Sequence, residues 1–147
     1  MAILSINLEK LVTADDKFEQ RKQAKIAAVM AFGETVIQSG YPYDFGGEHG
    51  IQHLQLRNND DKINWQTVLA GSTIAVSQGA ALVPGPNIRT AENNVIQITY
   101  GEAVQMLTSL ISWAESKYMV SWAKKDAIRA TINDTQLDAV AVEDGWE

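Results

Sequence analysis

The chain has 147 residues, 46% of them hydrophobic and 20% charged, with a formal net charge of −6. That length supports one domain with its own core and leaves little for a second. The acidic balance argues against a phosphate-backbone partner, and the lack of cysteine removes disulfide frameworks, thiolate nucleophiles and Cys-built zinc sites.

Residues 1–12 read as an extended N-terminal arm, with 13–147 as a single α+β domain. "AILSINL" sets Ile3, Ser5 and Asn7 against Leu4, Ile6 and Leu8. Such a stretch either pairs with another chain or adds a strand to the domain itself. "MAILSINLEK" has no basic region ahead of a long apolar core, so it is not a secretory signal. No apolar run approaches the roughly twenty residues that span a bilayer. The expectation is a protein made and kept in the cytoplasm unless something larger carries it out, with neither membrane nor nucleic acid as partner.

"TADDKFEQ" starts a helix: Thr13 can cap it with Asp16 three residues on. It runs to about Ser39, where Gly40 can take the left-handed position and Pro42 cannot continue. Ile26, Val29, Gly33 and Val36, with Phe32 and Ile37, form a stripe for the core. The first half offers only Phe18 amid charge, so it projects or meets a partner, and the basic run Lys17 to Lys25 reads as a solvated face. "YPYDFGGEHG" is a loop or tight hairpin. "GIQHLQL" alternates as a strand, with Ile51, His53 and Gln55 on one face and Gln52, Leu54 and Leu56 on the other. Asn58 to Asp60 can then cap a helix carrying Trp65, Val68, Leu69 and Val76 near one face, weakened midway by Gly71.

"GAALVPGPN", Gly79 to Asn87, holds two prolines and two glycines, and reads as neither helix nor central strand. It is a spacer or a surface loop that touches a neighbour through Leu82, Pro84 and Pro86. "NIRTAENNVIQIT" predicts a hairpin, Ile88–Thr90 against Val95–Ile98, around Asn93 and Asn94. Thr99 and Glu102 form a capping box for a long helix. One stripe of that helix runs Val104, Leu107, Ile111, Ala114, Tyr118, Trp122 and Lys125. A second holds Met106, Leu110, Trp113 and Val120. Apolar on two faces, the helix must be sandwiched, either within the domain or between subunits. A break at Asn133-Asp134 allows a short last helix from Thr135 to about Val142.

The two histidines, His49 and His53, stand four apart. On a helix that spacing serves zinc, but the order here is E-H-x-x-x-H, and Gly46, Gly47 and Gly50 argue against a helix. On a strand both would point one way, with Asp44 or Glu48 as a possible third ligand. The alternative is a polar strand face. Asn58, Asn59, Asp60 and Asp61 lack the alternation, central Gly and closing Glu of a calcium loop. No nucleophile elbow, Walker loop or dinucleotide fingerprint occurs, so no catalytic residue, metal or cofactor is assigned. Of four tryptophans, Trp65 and Trp113 are expected in the core. Trp122 and Trp146 are either interface residues or folded back onto the domain.

Several stretches occur together in order: "LVTADDK", "GIQHLQLRNNDDKINW", "IRTAENNVIQITYGEAVQML" and "IRATINDTQLDAV". From Leu11 onward the chain resembles a family of domains of unknown function found in bacteriophage and prophage tail and tail-fibre gene regions. That family carries an "LVTAEDK" helix, a strand followed by "LQxRxxxDxxNW", an "RTxDN" hairpin followed by "xxLTxxE", and a closing "IxxAxxxxELxxI" helix. The matching positions are Leu54, Gln55, Arg57, Asp61, Asn64, Trp65, Arg89, Thr90, Asn93 and Glu102. Departures are the "AENN" turn, where Asp-Asn is commoner, and the "ALVPGPN" insertion.

The resemblance implies a non-enzymatic tail component, virion-borne after assembly in the host cytoplasm. It would be homo-oligomeric and bound to other tail or tail-fibre proteins. Trimers or hexamers would suit a tail axis. The rivals are a tail-fibre assembly chaperone absent from the particle and a small metal-dependent enzyme at His49 and His53. The resemblance also suggests a structural corner of Leu54, Arg57, Asp61 and Trp65, with Arg57 on Asp61 and Arg89 forking onto Glu102. The fold expected is α+β: a long first helix, a small antiparallel sheet of hairpins, a long penultimate helix and a short last one.

Overall fold

The computed structural model describes residues 12–147; the arm expected over residues 1–12 lies outside these but for Val12. The order is α1 (Ala14–Gln38), β1 (Tyr41–Asp44), β2 (Ile51–Leu54), α2 (Asn59–Ser77), β3 (Pro84–Arg89), β4 (Val95–Thr99), α3 (Tyr100–Ala130) and α4 (Asp134–Ala139). The architecture is α+β, and its hairpins form two separate two-stranded antiparallel sheets.

Each helix starts where a short polar side chain can take an orphan amide. Thr13 Oγ1 accepts from the Asp16 amide at 3.1 Å, and Asp16 returns a bond from the Thr13 amide at 2.9 Å. Asn58 accepts from the Asp61 amide, and Thr99 with Glu102 makes a second capping box. Asn133 caps α4 through the Gln136 amide. That helix ends at Ala139, short of the expected Val142. Lys124 binds the Ala141 carbonyl and the Trp146 indole binds that of Val142, so these carbonyls serve a tail that turns back.

Strand β3 begins at Pro84, four residues before the expected hairpin, and pairs Pro84 with Thr99 across a register irregularity before Asn87. Prolines are tolerated because a two-stranded ribbon has only edge strands. Between them, a Cβ on Gly85 would lie 2.9 Å from the Tyr100 amide nitrogen. The stretch read as a loop or spacer is therefore half strand. At the opposite turn Asn93 takes φ 68°, which asparagine tolerates.

Two apolar clusters share α3. Near its start, Met106, Leu107 and Leu110 pack with Ile37, Leu54, Leu56, Trp65, Ile88, Ile96 and Ile98. Near its end, Ile128 packs with Ile26, Val29, Leu137 and Trp146. Helix α3 packs in its own chain against the hairpins and α2 near its start and against α1 with α4 near its end. Among the described residues no helix is long and apolar enough to cross a membrane.

The first half of α1, expected to project or to meet a partner, holds the C-terminal region of its own chain. Phe18 packs on the second cluster. Lys22, 8% exposed, donates to the carbonyls of Arg129 and Thr131 at 2.9 and 3.1 Å. Lys25 donates to Leu137, and Arg21 pairs with Asp134 and Asp138. The basic run is a solvated face only in part: Lys17 and Arg21 are exposed, whereas Lys22 is buried and Lys25 partly so. Lys22 satisfies carbonyls left free where α3 ends, and Lys25 one at the end of α4.

Candidate functional site

The strand-to-helix corner forms first in sequence. Leu54 is fully buried at the end of β2, and Leu56 follows it into the same cluster. Arg57 then meets Asp61 in the first turn of α2 through two parallel bonds of 3.0 Å, Nε to Oδ2 and Nη2 to Oδ1. Asp61 also accepts from the Arg57 amide at 2.8 Å. The guanidinium, helped by the backbone amides of Arg57 and Asn58, holds the Asp61 carboxyl below its usual range. One turn on, Trp65 Nε1 donates to the Gln55 carbonyl at 2.7 Å, so the indole seals the corner from within.

Arg89 does not fork onto Glu102. Its guanidinium bonds Asn93 Oδ1 across the second hairpin turn, while Glu102 is consumed by the Thr99 cap. Spacing could not exclude this, because both acceptors stood within reach of a strand-borne arginine.

The histidines part company. His49 lies in the first hairpin's turn, its Nε2 4.0 Å from Glu48. His53 faces Glu92 of the second hairpin: the amide donates to Oε2 at 2.9 Å, and ring Nδ1 stands 2.6 Å from Oε1. These bonds, the backbone one first, hold the Glu92 carboxyl down at about 2. Beside them, buried Gln52 Oε1 accepts from Thr90 Oγ1 at 3.0 Å and from Asn94 Nδ2 at 2.9 Å. The two hairpins are knitted by this polar patch. Among the described residues no group of three or more His, Cys, Asp or Glu side chains that could hold a metal ion is found.

The interface candidates also divide. Trp146 is 5% exposed, its ring tilted on Phe32 at 5.8 Å between centroids and its carbonyl taken by buried Lys117. It belongs to its own chain's core, as does half-buried Phe18. Pro84 and Pro86 are strand residues. Leu82, just before them, stands 89% exposed.

Trp122 remains free, at 56% exposed, with Ile111 at 52% and Tyr118 at 43%. These three stand along an open groove between α2 and α3 of about 330 Å³. Buried Leu56, Trp65, Leu107 and Leu110 make its floor, and Lys62, Gln66 and Glu115 stand on its rims. The stripe of α3 was legible in sequence. That α2 would cover only half of it was not, because this depends on how far α2 lies from α3. A groove with an apolar floor and few polar groups can receive an apolar side chain or helix face.

The sequence profile of a family described as a domain of unknown function, DUF4376, matches residues 20–143. No curated protein matches the chain, and neither does any solved structure.

Proposed function

The chain belongs to the DUF4376 family, and from that premise we propose that it is a non-enzymatic structural protein of a bacteriophage tail. It would sit at the tail end or with the tail fibres and act through contacts with copies of itself and with other tail proteins. Support comes from the ordered motifs that resemble proteins of phage tail gene regions. The observation that carries the contact role is the groove between α2 and α3, along which Ile111, Tyr118 and Trp122 of one helix stripe are left to solvent together. Monomers seldom expose a continuous apolar patch without a use for it.

The test is mass spectrometry of purified particles beside the lysate they came from. A tail component appears in both at stoichiometric abundance. Abundance in the lysate with none in particles would replace this reading by a tail-fibre assembly chaperone, for which an exposed apolar groove is equally suited.

A further inference from the structure

We infer that a recess between α1 and α3 binds a small organic monocarboxylate with an apolar body, its negative end held by Lys117, Ser121 and Lys125. The recess lies on the α1 side of α3 and shares only Ile37, Tyr118 and Trp122 with the groove beside α2. The inference stands independently of the tail reading.

Lys117, Ser121 and Lys125 follow one another at steps of four, so they share one face of α3. All three line a recess of about 160 Å³ whose other wall is α1. Lys117 is 5% exposed. Its ammonium donates to the Trp146 carbonyl and stands 5.5 Å from the centroid of the Trp113 ring. An ammonium carries three donors, and a carbonyl and a ring face answer it with partial charge alone. The other buried lysine, Lys22, has the Glu19 carboxylate at 3.6 Å. Lys117 and Lys125 have no carboxylate within ion-pair distance among the described residues. A buried cation without a counter-charge is costly, and an anion in the recess would remove that cost. Ser121 is 9% exposed. Ser116 bonds back to the Trp113 carbonyl; the Ser121 hydroxyl makes no such bond. No fully enclosed side-chain polar atom among the described residues lacks a partner, so the Ser121 oxygen meets open space, and the recess is the space it lines. Helical side chains lean toward the helix start, which brings Lys125 toward the Ser121 level.

The chemistry of the walls sets the class of ligand. The charged residues lining the recess are Lys117, Lys125 and Glu34, two positive and one negative, and Glu34 already accepts from Gln38 at 3.1 Å. That balance takes one negative charge. The walls also carry Ile37 and the indoles of Trp122 and Trp146. Against them a phosphate would lose water on every side without replacing it. A carboxylate presents its charge at one end, toward the donor row, and leaves an apolar body to cover those side chains. A few polar groups converging within an apolar hollow are what orients a small ligand.

Calorimetric titration of the purified chain with benzoate and with hexanoate tests this. At least one is expected to bind with a dissociation constant of about 1 mM or below. Benzamide, which keeps the ring and lacks the charge, is expected to bind about tenfold more weakly than benzoate. Lys117→Met fills the same space without the ammonium and should weaken binding about tenfold or more. Ser121→Ala and Lys125→Met should each weaken it about threefold or more with unchanged circular dichroism melts, and they carry the test if Lys117→Met does not fold. Amide and indole shifts in ¹H–¹⁵N spectra with benzoate should move at Gly33, Ser121 and Trp146. No binding of either acid at about 10 mM, benzamide as tight as benzoate, an affinity unmoved in every folded variant, or shifts confined to Trp65 and Gln66 on the α2 side would each overturn the inference.

Discussion

Glu92 accepts from the backbone amide of His53 and lies 2.6 Å from its ring, and so couples a turn of one hairpin to a strand of the other. Its carboxyl is held at about 2 against an ordinary 4.5. Between those values the unfolded chain binds the proton and the folded chain does not, so stability rises with pH across that window. The contribution is complete above 4.5 and is lost as pH falls through about 2. Denaturant midpoints compared at about pH 6 and about pH 3 should therefore fall further for the wild type than for Glu92→Gln, which has no such proton to gain. Equal falls would mean that the His53 contact adds nothing to folding. No motif announced Glu92: it lies 39 positions from His53, and only the meeting of two hairpins makes them neighbours.

Helix ends were the most legible features, because a cap needs only residues three apart. Thr13 with Asp16, Asn58, and Thr99 with Glu102 could each be read from the residues alone. Replacing Thr99 by Ala removes both the acceptor for the Glu102 amide and the hydroxyl that binds its carboxylate. That should cost about 1 kcal/mol in urea unfolding. Thr99→Ser keeps the oxygen and should recover most of it; a serine as damaging as alanine would place the effect in the lost methyl. Strand β3 was less legible. Its prolines signalled a loop, and its pairing depends on Gly85 letting the chain pass close to Tyr100. Proline restricts its own residue, but it does not forbid an edge strand whose amides face no partner.

The chain's closing turn binds the ends of the fold together. Trp146 lies over Gly33, where an added Cβ would stand 2.8 Å from indole Cη2. Lys117 takes the Trp146 carbonyl, and the indole N–H takes that of Val142 at 2.8 Å. Trp146→Ala should lose about 3–5 kcal/mol, the usual cost of emptying a buried aromatic site, and Gly33→Ala about 1–3 kcal/mol through overpacking. In the double variant Gly33→Ala should cost nothing, since the ring it strikes is gone and alanine favours the helix. Additive losses in denaturant titrations would show that the two do not touch in solution.

The amino-acid sequence by itself determined the α+β order, the helix starts, the turn at Asn93 and the two-faced character of α3. These follow from capping, backbone preference and periodicity, which act over a few residues. The corner between Arg57 and Asp61 belongs here too, at four residues' separation. Tertiary structure alone decided that Trp146 turns inward while Trp122 stays out. It alone sent Lys22 and Lys117 to carbonyls more than 25 residues away, and it alone left half of α3's stripe open beside α2. Burial and the satisfaction of buried polar groups depend on which distant segments arrive, and neither tryptophan carries that in its neighbours.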